Sequence, residues 1–287
     1  MIINSTTVAI IADDLTGAND TALQFHLKGA NTQILLSEDI DPVNAKNTQT
    51  WALSTESRNI EPHEAFEKAQ RAAQFFVEKI NPDYFYKKID STIRGNIAVE
   101  VLAILDTLEW DASIIIPAFP AESRVTVGGY HLLKGVPIER TEMARDPHSP
   151  IFESHLPTLL KSQLHDENKD LVGSIELSTI MKGAGPILRD LNNLIKSGKK
   201  LIVMDAVSTV DIEQIVLAMD KSEYRILPTG TAAAAQVLSD LWFSDFKSEH
   251  ITKTLPELPK FVVSGSATQI TANQIEKLEE ADEFENL

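Results

Sequence analysis

The 287-residue chain contains no cysteine. That excludes disulfides, thiolate metal sites and a cysteine nucleophile. Positive charge is also scarce: 26 Lys and Arg stand against 42 Asp and Glu, a formal net charge of −16. Such a chain offers no basic face to bulk nucleic acid or to an anionic membrane, although local basic pockets for small anions remain open. Long apolar runs are missing as well. Val8-Ala9-Ile10-Ile11-Ala12 stops at two aspartates and follows no basic segment, so neither a signal peptide nor a membrane span is expected, and the cytoplasm is the expected location. Glycine numbers only 12, and no GxxxxGK[ST] occurs. Gly183-Ala184-Gly185 has Leu188 where a GxGxxG pattern needs its third glycine, which excludes the P-loop and Rossmann fingerprints. The seven histidines show no HExxH or HxH spacing.

What is present is ordinary globular material, 43% hydrophobic and 24% charged, enough for a sizeable core. Short β-branched runs alternate with amphipathic stretches. Strands are predicted at 7–12, 32–36, 50–54, 84–87, 113–117, 201–205 and 224–227, and helices at 17–28, 61–79, 97–108, 209–219 and 231–243. The alternation predicts an α/β fold, a mostly parallel sheet with helices on both faces. Residues 117–150 break the pattern with five prolines and three glycines. They read as a β-hairpin excursion near 125–140 plus a long ordered loop; long loops in compact domains are functional or disordered, and Arg124, Arg140, Arg145 and Asp146 favour the functional reading. The polar stretch 244–260 reads as a linker after a domain at 1–243. A strand at 261–264 and a helix at 268–280 follow, too little for a domain of their own.

Three clusters stand at predicted strand ends, where open parallel sheets bind ligands. The first is Asp13-Asp14-Leu15-Thr16-Gly17-Ala18-Asn19-Asp20. Two carboxylates there can orient hydroxyls, hold Mg2+ or act as a general base. A plain aspartate N-cap before a glycine turn competes with that reading. The aspartyl-nucleophile pattern DxDxT fails, because Leu15 and Thr16 occupy the positions two after each aspartate. The second cluster is Lys87-Lys88-Ile89-Asp90-Ser91-Thr92-Ile93-Arg94-Gly95-Asn96. Asn96 suits an N-cap, and the helix start at 95–97 suits an anion beside Lys88 and Arg94. The third, Ser54-Thr55-Glu56-Ser57-Arg58, is weak alone but would bring Arg58 to the same cleft.

Together these motifs resemble the four-carbon acid sugar kinase family. The resemblance is carried by ADDLTGANDTALQF at 12–25, TESR at 55–58, KKIDSTIRGN at 87–96 and the block PAFPAESRVTVGGYHLLKGVPIERTEMARDPHSP at 117–150. TGTAAAAQVL at 229–238 and VVSGSATQIT at 262–271 add to it. Within the family, GANDTALQF is similar to the D-threonate and D-erythronate kinases. The resemblance implies ATP-dependent phosphorylation of the terminal 4-hydroxyl of a four-carbon sugar acid, with Mg2+. It also implies substrate contacts at Asp13, Asp14, Arg58, Lys88, Ile89, Asp90, Ser91, Arg94 and Asn96, and an ATP contact at Ser264 within Ser264-Gly265-Ser266. Asp14 is the first candidate for the base, with Asp13 or Asp90 in reserve. Family members continue well beyond this length, so 261–287 is expected to begin a truncated nucleotide-binding domain, and the chain alone to bind sugar acid without appreciable ATP turnover. The expected partners are therefore the sugar acid and ATP, with a homo-oligomer left open. A sugar-acid-binding module without turnover and a Mg2+-dependent hydrolase using Asp13 and Asp14 are the alternatives.

Overall fold

The computed structural model describes residues 6–39, 47–244, 263–265 and 269–280. Eight strands form one sheet in which every pair is parallel. In chain order they are β1 (Val8–Ala12), β2 (Thr32–Leu35), β3 (Thr50–Ser54), β4 (Tyr84–Lys88), β5 (Ala112–Ile116), β9 (Val172–Ile175), β10 (Leu201–Met204) and β11 (Ile226–Gly230). A separate antiparallel sheet holds β6 (Arg124–Val127), β7 (Tyr130–Leu133) and β8 (Val136–Pro137). The large sheet runs β2-β3-β1-β4-β11-β5-β10-β9. The chain leaves β1 to one side for β2 and β3, then returns to its other side for β4. That reversal makes the carboxyl end of β1 a switch point, where a crevice opens between diverging connections.

The central strands are buried on both faces, which is why they read as unbroken apolar runs rather than alternating ones. Strand alternation divides the core in two. Val8, Ile10 and Ala12 pack with α1 (Leu15–Leu27), α6 (Ala184–Lys196), α7 (Thr209–Asp220) and α8 (Ala232–Trp242). Ala9 and Ile11 pack with α2 (Pro62–Phe75), α3 (Ile97–Leu108) and α4 (Leu156–Ser162) on the other face. Local chemistry sets the helix starts. Pro62 occupies the first turn of α2, and Ser208 and Asp211 close a capping box on α7.

Some expectations shift. The strand predicted at 224–227 runs Ile226–Gly230, so Gly230 itself lies in the sheet. A Cβ there would come within 2.6 Å of the Ile116 carbonyl oxygen, which glycine alone avoids. The predicted helix 61–79 ends at Phe75 and continues as a π turn over Phe76–Ile80. The elements α4, β9, α5 (Leu177–Ile180) and α6 carry no counterpart in the sequence-based assignment. Residues Met1–Glu249 form one compact unit and His250–Leu287 another. In the second unit the described elements are Val263–Gly265, which pair with no strand, and α9 (Gln269–Glu279). The rest of the strand predicted at 261–264, and the predicted linker from 245 on, lie outside the described residues.

The hairpin excursion expected near 125–140 is present, and the structure shows what anchors it. Gly128 and Gly129 both have positive φ, 58° and 77°, the geometry that matches a two-residue turn to strand twist. Asp205, just past β10, accepts the Gly128 and Gly129 N–H groups at 2.6 and 2.9 Å and the Leu177 N–H at 2.9 Å. His131 ties the hairpin to the loop after β4: its Nε2 lies 2.9 Å from the Ser91 carbonyl oxygen. That partner can only accept, so Nε2 carries the proton, and Nδ1 accepts from the Thr126 hydroxyl at 3.2 Å. Burial pushes the imidazole pKa down to about 4 from 6.5, against the pull of the Ser91 carbonyl. An unfolded chain therefore binds a proton in the window that the folded one refuses. The associated stability is complete above pH 6.5 and lost as pH falls towards 4, on the order of 3 kcal/mol at 1.36 kcal/mol per unit. Urea titrations at pH 7 and pH 4.5 will show this slope in the wild type, and His131→Gln will flatten it.

Candidate functional site

The site is built on the carboxyl ends of β1, β3 and β4. The Asp13 carbonyl oxygen accepts the N–H groups of Ser57 and Arg58 at 3.0 and 3.3 Å, which folds the loop after β3 over the end of β1. That turn delivers the Arg58 guanidinium to Asp13 as a two-pronged pair, Nε to Oδ2 at 2.7 Å and Nη2 to Oδ1 at 3.1 Å. Its Nη1 reaches Asp14 Oδ2 at 2.6 Å and stands 3.9 Å from Asp90 Oδ1. Burial opposes the Arg58 charge. Hydrogen bonding to Asp13 and the charges of Asp13, Asp90 and Asp14 outweigh it and raise the guanidinium pKa. Asp14 also caps α1, its Oδ1 accepting the Gly17 N–H at 2.7 Å, so capping and ion pairing coexist in one side chain.

The loop after β4 is wound around the Asp90 carboxylate. Thr92 donates its hydroxyl to Oδ2, and Arg94 binds both oxygens, Nε to Oδ2 at 2.7 Å and Nη2 to Oδ1 at 3.2 Å. Burial would raise the Asp90 pKa. The Arg94 hydrogen bonds, the Arg58 and Arg94 charges and the Thr92 hydroxyl overcome it and hold the carboxyl well below the usual range. The winding forces Ile93 to φ 59°, a left-handed conformation that a β-branched side chain rarely adopts. Arg94 Nη1 continues to Asp146 Oδ2 at 2.7 Å. Asp146 accepts the N–H groups of Ser149 and His148, which with Arg94 bring its pKa down to about 2. The long loop over 141–151 is thereby pinned to the site.

Lys87 and Lys88 point to opposite faces of β4. Lys87 is buried against Glu100 of α3. Lys88 faces the cleft, 5% exposed, and its Nζ donates to the Ile89 carbonyl at 2.7 Å. It forms no ion pair with a described carboxylate, in contrast to Arg58 and Arg94. Burial dominates and lowers its pKa, and the charges of Asp13, Asp90 and Asp14 only partly compensate. Gly17 makes room for the ammonium: a Cβ at position 17 would sit 2.9 Å from Lys88 Nζ.

Asp13, Asp14, Arg58, Lys88, Asp90 and Arg94 thus come together. Ile89 and Ile93 are apolar supports beneath the loop, both 1% exposed, and Ser91 contributes its carbonyl to His131. Asn96 occupies the N-cap position of α3 without capping it; its amide clamps the Ser57 and Ile60 carbonyls at 3.0 and 2.9 Å instead. The expected anion seat at the start of α3 is already engaged by Gln163, whose Oε1 accepts the Ala98 N–H at 2.8 Å and whose Nε2 donates to the Gly95 carbonyl at 2.8 Å. Sequence reasoning named neither Gln163 nor the partnership of Asp146 with Arg94. Asp205 sits at a strand end, a position that could have flagged it.

The expected Mg2+ has no prepared seat among the described residues. Among the described residues no group of three or more His, Asp or Glu is arranged to hold a metal ion, and the clustered carboxylates are bound by guanidinium groups, so the donor set does not suit a resident Mg2+. Ser264 and Gly265 are exposed, and nothing stands within 4 Å of the place a Gly265 Cβ would take. Ser266 lies outside the described residues. No helix among the described residues is long and apolar enough to cross a membrane.

A fully parallel sheet with a charged crevice at its switch point has the architecture of an open α/β domain that takes its ligands at the strand ends. The family model for the sugar-binding N-terminal domain matches residues 8–238. A D-erythronate kinase of Heliobacterium modesticaldum is 33% identical over 276 residues, 96% of this chain and 60% of the relative. A D-threonate kinase of Salmonella typhimurium is 32% identical over 268 residues, 93% of this chain and 59% of the relative. A crystal structure of a Haemophilus influenzae protein superposes with a TM-score of 0.76 at 27% identity, covering 95% of this chain and 65% of that one. The chain belongs to the four-carbon acid sugar kinase family, and it spans about three fifths of the length of the curated relatives it matches.

The two cations at the centre of the site should respond oppositely to removal. Arg58→Ala leaves three carboxylates without their shared partner, a loss of about 3–5 kcal/mol by analogy with broken buried pairs. Lys88→Met removes a desolvated charge without orphaning a carboxylate, so its melting temperature should match or exceed the wild type's. Thermal melts of both variants at pH 7 make the comparison.

Proposed function

We propose that the chain is the sugar-acid-binding part of a kinase that transfers a phosphoryl group to the terminal 4-hydroxyl of a four-carbon sugar acid, D-erythronate or D-threonate. ATP, arriving with its Mg2+, is the proposed donor. The observation that carries the reading is the inequality among the three cations. Arg58 and Arg94 are saturated by aspartates, whereas Lys88 is dehydrated, in the crevice and free of ion pairs. A sugar acid offers the missing carboxylate, and the surrounding aspartates are acceptors for its hydroxyls. Arg58 then acts chiefly by fixing Asp13 and Asp14, a different part from the direct carboxylate grip expected from sequence. The kinase names of the relatives support the reaction class, and the family match to a sugar-binding domain supports the division of labour. The proposed boundary of that domain lies in 244–260, with nucleotide contacts supplied from beyond it. The hydrolase alternative loses its basis, since Asp13 and Asp14 are engaged by Arg58 rather than free to share a metal.

Calorimetric titration of the 287-residue chain with D-erythronate and D-threonate tests binding, and ADP release on the same preparation tests turnover. Binding without ADP release supports a substrate-binding part. Robust ADP release coupled to the sugar acid would show that the chain also supplies a donor site. Binding requires the charged form of Lys88, whose pKa lies below its usual value, so affinity should fall as pH rises through that lowered pKa. Lys88→Met should lose about 10- to 100-fold in affinity, the range of a charge-assisted hydrogen bond, and should show no such alkaline fall.

A further inference from the structure

Four of the carboxylates bordering the crevice have their oxygens committed. Asp13 is taken by Arg58, Asp14 by Arg58 and the Gly17 N–H, Asp90 by Arg94 and Thr92, and Asp146 by Arg94 and two loop N–H groups. An oxygen already engaged in that way has less room to meet a substrate hydroxyl. Asp14, the first candidate from sequence, has both oxygens occupied, Oδ1 by the Gly17 N–H and Oδ2 by Arg58.

Asp20 is different. It sits on α1 one turn beyond Gly17, and positions three apart share a helix face. Gly17 is where Lys88 Nζ touches that face. Asp20 is half-buried, and its side chain makes no hydrogen bond or ion pair with any described residue. Burial raises its pKa, Lys88 lowers it and Glu122 raises it further. Tyr86 and Lys88 share one face of β4, α1 packs on that face through Ala18, Ala22 and Phe25, and Asp20 stands on α1 beside this contact. An ammonium whose one hydrogen-bond partner is the Ile89 carbonyl and a carboxylate unpartnered among the described residues thus lie on the facing sides of β4 and α1. A hydroxy acid complements that arrangement, with its carboxylate on Lys88 and a hydroxyl on Asp20.

We infer that Asp20 is the catalytic base that accepts the proton of the terminal hydroxyl during phosphoryl transfer, an inference that rests on the sugar-acid kinase reading. The hydroxyl oxygen forms a bond to the γ-phosphorus of a nucleoside triphosphate. The bond from that phosphorus to the β–γ bridging oxygen breaks, its electron pair leaving on the nucleoside diphosphate. The hydroxyl proton passes to an Asp20 carboxylate oxygen. In such loose transfers positioning outweighs proton abstraction, so Asp20 should be felt already when the acceptor binds.

Binding to the 287-residue chain tests this without any need for turnover. Three probes are titrated: D-erythronate, its 4-deoxy analogue and 4-phospho-D-erythronate. Asp20→Asn and Asp20→Ala, checked for unchanged melting temperature, should bind D-erythronate about tenfold more weakly, the scale of one charge-assisted hydrogen bond. Both should bind the 4-deoxy analogue as the wild type does, and both should bind the 4-phosphorylated acid more tightly, because a carboxylate facing the phosphate is gone. Equal losses for D-erythronate and its 4-deoxy analogue would overturn the assignment, since a merely structural aspartate cannot tell the two apart. Unchanged D-erythronate affinity in both variants would overturn it too. Failure of the wild type to bind D-erythronate at all would instead remove the sugar-acid reading, and this inference with it.

Discussion

Arg58 is the interaction on which the crevice depends. Three aspartates converge on the ends of β1 and β4, and at such separations in a partly dry site their mutual repulsion would be costly. One guanidinium, carried on the turn after β3, binds two of them and stands within reach of the third. The planar fork matters here, because an ammonium could not satisfy Asp13 at two atoms while also reaching Asp14. With Arg58 in place, the loop after β3 is locked to β1, Asp14 is free to cap α1, and the 90–94 loop can close on its own carboxylate.

A second shell of neutral contacts holds this charged layer steady. Asn96 grips the β3 loop from the start of α3, Gln163 ties α4 to the same helix, and His131 links the hairpin to Ser91. Each is a hydrogen bond with directional demands, so each transmits position rather than charge. The hairpin is in turn nailed to the far end of the sheet by Asp205, which satisfies three backbone N–H groups at once. The site is therefore braced from β10 as well as from the strands that carry it.

Much of this frame was legible from residues alone. The apolar runs of β1, β3, β4 and β5 fall within one or two residues of their observed limits because central parallel strands are buried on both faces and leave little ambiguity. The region from 150 to 200 was opaque for the opposite reason. Its strand β9 is a short edge strand with a glycine, half-exposed in the middle, and α4 follows a proline-rich loop that hides its start. At the site, residue types at strand ends could be picked out, but their partners could not. Nothing in one sequence says that Arg58 spends its guanidinium on Asp13, that Arg94 reaches Asp146 fifty-two positions away, or that Asn96 clamps a loop instead of its own helix. Those facts depend on side-chain directions that only the assembled sheet sets. For the same reason the motif over 13–20 offers Asp14 and Asp20 alike, and only the fold shows that Asp14 is bound by Arg58 and the Gly17 N–H.

Gly17 is the common boundary of two charges that are far apart in the chain. A Cβ there would stand 2.7 Å from Asp14 Oδ1 and 2.9 Å from Lys88 Nζ. Any side chain at 17 would therefore push on the cap of α1 and on the crevice ammonium together. Both are the ends of side chains and can move, so alanine would trade a better helix former for a displaced cap and a displaced cation. A missing methyl group thus links the start of α1 to the position of the charge at the end of β4.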